Sequence, residues 1–154
     1  MIFEGRVDAI HLIAERGGEP EAVARAVAAA GLGLVGDRKY GRVDAKGAPR
    51  PEAAITLIEA EALVAMARDH ALELAPGASR RNVVVRGVPL NHLVGRRFRL
   101  GEVLLSGYEL CEPCKHLEKL TTKGVLKALT HRGGLRAYII EGGEFAVGDA
   151  VRPA

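Results

Sequence analysis

The chain has 154 residues, 48% of them hydrophobic and 27% charged, with a formal net charge of +3 and a pI of about 9.1. That length supports one domain with a sizeable core rather than two. The small basic excess is interleaved with acid and only 4% of residues are aromatic, so neither a nucleic-acid surface nor a base-stacking platform is expected.

No apolar run approaches the ~20 residues that span a bilayer, so no membrane partner is expected. The start, Met1 to Arg6, has no basic segment followed by an apolar one. The expected compartment is the cytoplasm, where thiols stay reduced. A modest positive charge suits a small anionic ligand.

Residues 2–14 carry Ile2, Val7, Ile10, Leu12 and Ile13 among polar neighbours and read as a first strand. His11 lies within it and is expected to bond a neighbour on one strand face. After the turn at Gly17 to Pro20, the alanine-rich run 21–30 reads as a helix opened by Pro20 and closed at Gly31.

The stretch Gly33-Leu-Val-Gly-Asp-Arg-Lys-Tyr-Gly41 follows. Glycine permits sharp turns and close backbone approach. Arg38 and Lys39 between the glycines can bind phosphate or carboxylate, or can be solvated loop charges. A polar loop runs to residue 52. A buried strand over 54–58 then leads into a helix over 59–70 with Leu63, Val64 and Ala67 as its apolar stripe.

Ser79-Arg-Arg-Asn82 precedes the β-branched strand 83–85. In extended backbone, Arg80 and Arg81 point to opposite faces, so one can meet a ligand while the other meets solvent or a carboxylate. Residues 90–95 read as a helical turn. Residues 97–100 and 102–105 form a hairpin about Gly101. A helix over 123–131 stops at Gly133 and Gly134, a strand covers 135–140, 141–144 is a turn, and 150–152 is a last short strand. Many short strands with glycine turns and inserted helices predict a mostly-β barrel in a single domain, 1–154.

Both cysteines lie in Leu110-Cys-Glu-Pro-Cys-Lys-His116. A structural zinc site needs a second ligand pair, which the chain lacks. A c-type haem site needs His directly after the second Cys, where Lys115 stands. A dithiol redox centre needs a βαβ setting, and this one is β-rich. A single thiolate beside a basic pocket fits a metal-bearing anionic cofactor.

Taken together, four motifs carry a resemblance. They are Gly36-Asp-Arg-x-Tyr-Gly41, Ser79-Arg-Arg-Asn82 before a valine strand, Leu110-Cys-Glu-Pro-Cys-Lys-x-Leu117, and His131-Arg-Gly-Gly-Leu-Arg136 with Gly143-Glu-Phe-x-Val-Gly-Asp149. In order and spacing, the chain resembles the MOSC family, named for the C-terminal domain of molybdenum cofactor sulfurase.

The resemblance implies a β-barrel like that of the pyruvate kinase barrel domain. It implies binding of molybdenum cofactor, a molybdopterin with a phosphate tail, in oxidoreductase or cofactor-sulfuration chemistry. The family's key cysteine maps onto Cys114, as catalytic residue and as ligand of molybdenum. Arg38, Arg80, Arg81 and Arg132 would hold the phosphate and pterin, Asn82 would bond the pterin, and Asp37 would orient an arginine. The resemblance also implies a cysteine desulfurase or a redox protein as partner. Two other readings stand beside it: a metal-free sulfur carrier with a persulfide on Cys114, and a non-catalytic binding module.

Overall fold

The computed structural model describes the whole chain, Met1–Ala154. The strands are β1 (Gly5–Leu12), β2 (Glu21–Val23), β3 (Arg25–Ala29), β4 (Gly33–Leu34), β5 (Ile55–Glu59), β6 (Val83–Arg86), β7 (Arg97–Leu100), β8 (Val103–Leu110), β9 (Leu135–Glu141), β10 (Gly143–Ala146) and β11 (Ala150–Pro153). The helices are α1 (Ala60–His70), α2 (Lys115–Leu120) and α3 (Val125–Ala128).

Seven strands close a ring in the order β1, β11, β7, β8, β9, β5, β6, with β6 returning to β1. All of these pairs are antiparallel except β5 with β6. Closure removes the free edges that would otherwise template association. β2 extends the far end of β1, and β10, β3 and β4 form a small separate sheet.

Period-two burial explains the barrel wall. Val83 and Val85 point into the interior cluster with Ile10, Leu57, Phe98 and Leu105. Val84, between them, points outward and joins Ile58 beneath α1, α2 and α3, where Met66, Leu117, Val125 and Leu129 are buried. The helices therefore cover one side of the barrel.

The expected mostly-β barrel is what the chain forms, but the helix over 21–30 is not. That segment is β2 and β3, and β3 pairs β10 and β4. Ala26 and Ala28 are buried while Arg25 and Val27 are exposed, a strand's alternation. Alanine's helix preference is worth only tenths of a kcal/mol per residue, and pairing on two edges outweighs it.

Four other differences from the sequence reading appear. The helix over 123–131 shrinks to α3, and the turn at 141–144 becomes the start of β10. α2, unanticipated, begins directly after Cys114. On α1 the buried residues are Ala60, Ala62 and Met66; Leu63 is half-buried and Val64 is exposed.

Candidate functional site

Three loops and the first turn of α2 meet at one end of the barrel and build a pocket of about 360 Å³ with no hydrophobic side chain in its lining. Arg16 and Gly17 come from the turn after β1. Arg38, Lys39 and Arg42 come from the loop after β4. Arg80 comes from the turn before β6, and His116 from α2. Five side chains here are ordinarily cationic, and such a wall attracts anions.

The loop carrying Arg38 and Lys39 is fixed by Asp37, which is buried. Its Oδ1 accepts the backbone N–H of Ile13 at 3.0 Å and the side-chain amide of Asn82 at 3.2 Å. Its Oδ2 accepts the backbone N–H of Lys39 at 3.2 Å. The carboxylate is thereby largely spent on holding the loop. Its Oδ1 lies 3.9 Å from Arg38 Nη1, beyond hydrogen-bond distance, and that nitrogen is buried without a hydrogen-bond partner. A buried donor left unmet costs about 1–3 kcal/mol, more when charged.

Burial lowers the pKa of the Arg38 guanidinium; Asp37 opposes this, and nearby Arg80, Arg42 and Arg81 add to it. Lys39 is pulled further, to about 8, chiefly by burial. Cys111 and Asp37 raise it, and Arg38 and Arg81 lower it. The pocket therefore holds crowded positive charge that an incoming anion would relieve.

Arg80 and Arg81 diverge as expected, but by another route. Arg80 adopts a left-handed backbone (φ 62°) rather than an extended one. Its Nη1 donates to Gly18 O at 2.8 Å, which anchors the side chain at the pocket rim. A non-glycine residue held in that region is a strain often found at functional sites.

Arg81, the expected second ligand arginine, is buried and fully engaged with backbone. Its Nε donates to Gly133 O at 2.8 Å, its Nη2 to Cys111 O at 2.9 Å and its Nη1 to Ser79 O at 3.2 Å. Asn82, also buried, is spent the same way. Its Oδ1 accepts the N–H and the hydroxyl of Thr56, both at 3.1 Å, and its Nδ2 donates to His11 O and Asp37 Oδ1. Both residues tie the loops together rather than facing the pocket. Arg132 lies elsewhere, donating to Ala128 O at 2.9 Å with Nη2 3.7 Å from Asp69.

The cysteine segment adjoins the pocket. Cys111 is buried, Cys114 is exposed, and both are free thiols. Cys111 is held by its own N–H to Gly134 O at 2.7 Å and by Arg81 on its carbonyl. Cys111 acts to raise the pKa of both Lys39 and Arg136. Burial would lower Arg136, but Cys111 and Glu109 more than offset it, and its pKa is raised.

Cys114 caps α2 in extended conformation, two residues from His116 on the pocket lining, and is not itself a lining residue. Between the cysteines, Glu112 grips His131 twice, accepting its backbone N–H at 2.7 Å and lying 2.8 Å from its Nδ1. No group of three His, Cys, Asp or Glu side chains could hold a metal ion.

The structure thus unites Arg38, Arg80 and the cysteine segment, puts Asp37, Arg81 and Asn82 beneath them, and leaves Arg132 apart. Arg16, Lys39, Arg42 and His116 complete the lining. Lys39 was legible beside Arg38 in the sequence. Arg16, beside a double-glycine turn, carried no motif of its own.

Comparison with solved structures shows the same fold. YuaD from Bacillus subtilis superposes with a TM-score of 0.80 at 15% identity, covering 99% of this chain and 96% of that one. YiiM from Escherichia coli gives 0.69 at 19% identity, over 100% and 70% of the two chains. YiiM from Geobacillus stearothermophilus gives 0.70 at 16% identity, over 97% and 75%. No curated protein sequence matches the chain. The MOSC domain family model matches residues 36–152, from the glycine that opens the Asp37–Arg38 loop to the last barrel strand. The chain belongs to the MOSC domain family.

Proposed function

We propose that this chain binds molybdenum cofactor, with the phosphate of the molybdopterin in the cationic pocket and Cys114 as the thiolate ligand of the metal. One observation carries the reading. The pocket has five cationic side chains, no apolar lining, and a buried Arg38 Nη1 without a hydrogen-bond partner, next to the segment that bears both thiols. These residues fit an anionic tail. An oxyanion supplies acceptors for Arg38 and Arg80, and guanidinium geometry suits phosphate.

In this reading Arg38, Arg80, Arg42 and Arg16 bind the anion. Lys39, whose pKa is pulled to about 8, gains a full charge as the anion arrives. Asp37, Asn82 and Arg81 are positioning residues that fix the loop ends. Arg132 has no part in the pocket. When bound, the cofactor supplies the oxidoreductase or sulfur chemistry associated with the family.

The test is purification from a cofactor-competent host, with molybdenum and pterin measured per chain. Near-stoichiometric content is expected in the parent. Arg38→Gln and Arg80→Gln should lose pterin and metal together, and Cys114→Ser should lose the metal. Absence of both in the parent, or content indifferent to Arg38 and Arg80, overturns the reading. Retention of metal in Cys114→Ser with loss in Cys111→Ser moves the ligand to the buried thiol.

The exposure of Cys114 favours a second reading, a sulfur carrier without retained metal. Incubation with a cysteine desulfurase would then leave a one-sulfur adduct, read by mass, that is absent in Cys114→Ser. In that case the partner is the desulfurase and the pocket holds the anionic acceptor.

A further inference from the structure

On the side of the barrel covered by α1 lies a second cleft of about 360 Å³, and it is mostly apolar. Its floor is the outward face of the wall: Ala9 and His11 from β1 and Val84 from β6. Leu63, Met66 and their neighbours on α1 form one side, and the loop Glu73 to Ser79 forms the other. The α1 residues that read in the sequence as an apolar stripe, Leu63, Val64 and Ala67, line this cleft.

His11 distinguishes the cleft from a simple packing gap. The residue is only 4% exposed, and its Nδ1 is buried without a hydrogen-bond partner. The sequence expectation of an imidazole bonded to a neighbour is not met. Burial pulls its pKa down, which favours the neutral ring. Gly77 holds the ring in place: a Cβ there would stand 2.5 Å from His11 Cδ2, and Gly77 has φ +77°. Buried polar atoms normally find a partner, and the ring that carries this one lines the cleft.

We propose that the cleft binds a neutral, mainly apolar molecule of one or two rings that bears a hydroxyl, with that hydroxyl bonded to His11. Size sets the first part, since a cavity of about 150 Å³ already holds benzene. Chemistry sets the second. A neutral imidazole offers an N–H at one ring nitrogen and a lone pair at the other, and a hydroxyl can answer either. A carboxylate would enter an apolar cleft with Glu73 at its rim, at a desolvation cost that nothing in the lining offsets. The site is separate from the cationic pocket and does not depend on its occupant. Ser79 lines the cleft and the next residue, Arg80, lines the pocket, so one turn serves both.

The experiment uses the whole chain with 2-naphthol as probe and naphthalene as its counterpart, followed by ligand-observed NMR and by the ¹⁵N shifts of His11. The parent protein should bind 2-naphthol about tenfold more tightly than naphthalene, with a shift at a ring nitrogen of His11. His11→Leu should erase that preference and leave naphthalene binding. Val64→Trp, at an exposed rim position, should weaken both ligands at least tenfold while leaving the fold intact by circular dichroism. Absence of 2-naphthol binding, or equal binding of the two ligands in the parent, overturns the proposal. So does a 2-naphthol preference that survives in His11→Leu. If His11→Leu does not fold, the parent's His11 ring-nitrogen shift and the Val64→Trp result decide the matter alone.

Discussion

Lys39 offers a direct test of the crowded charge in the cationic pocket. Its ordinary value is 10.5, and in the fold it falls to about 8. The native state gives up the proton first, so the unfolded chain holds more protons between those values. Stability must then rise with pH across that window, and protonated Lys39 must destabilise the fold below it. The full difference would be worth about 3 kcal/mol, and partial solvent contact reduces it, so about 1–3 kcal/mol is expected. Lys39→Met removes the charge and keeps most of the stem.

Urea unfolding at low salt should find the variant more stable than the parent at pH 7, with most of that gain gone by pH 10.5. Thiols ionise in the same range, so the comparison is repeated in a Cys111→Ala background. Inorganic phosphate should narrow the gap at pH 7 by stabilising the parent more than the variant. Phosphate binding at pH 8 should take up protons, measured by calorimetry in buffers of different ionisation enthalpy. A gain that is the same at pH 7 and pH 10.5, or a parent more stable than Lys39→Met at pH 7, would refute the argument.

Three further outcomes follow from single contacts. Asn82→Leu strands the Thr56 hydroxyl and N–H and half of the Asp37 network, and should cost about 3 kcal/mol or more in chemical unfolding. Gly134→Ala would set a Cβ 2.0 Å from Leu57 O at a backbone φ of +114°, so a loss above about 3 kcal/mol is expected in thermal melts, more than for a typical substitution. Glu59, whose pKa is raised by burial while its Oε1 accepts the Leu90 N–H, should be replaceable by Gln. Glu59→Gln should raise the melting temperature at pH 7, an advantage that fades as pH falls to 4.5 and below, where the unfolded carboxyl is also protonated.

Most of the barrel was legible because its strands carry their signals locally. Val83-Val-Val85, the Gly101 hairpin and residues 135–140 are β-branched or glycine-punctuated, and each forms a strand or turn in place. Residues 21–30 misled because alanine carries a weak helical preference and no strand signal. Pairing on both edges, with β4 and with the sequence-distant β10 over a hundred residues later, makes β3 a strand. α2 was missed because its six residues are too few to show a period. At the site, Arg38 and Arg80 were readable as ligand candidates because glycine or a tight turn sits beside each. Sequence could not separate them from Arg81 or Arg132. Which arginine meets a backbone carbonyl depends on contacts 52 residues apart, as between Arg81 and Gly133.

That separation carries the functional logic. Arg81 is buried and satisfied by three backbone carbonyls, that of Ser79 beside it and those of Cys111 and Gly133 in two distant segments. Removing the guanidinium would leave buried carbonyls unmet at about 1–3 kcal/mol each, and these bonds keep the cysteine segment and the Arg80 turn in fixed relation. Asp37 and Asn82 lock the other loop to β1 and β5 in the same way. With both walls rigid, Arg38 and Lys39 cannot relax away from one another, and their charges stay partly unmet. A pocket held in this state needs no rearrangement to receive an anion, so little ordering cost is subtracted from the affinity. The buried, satisfied arginine is thus the reason its half-buried neighbours can remain unsatisfied.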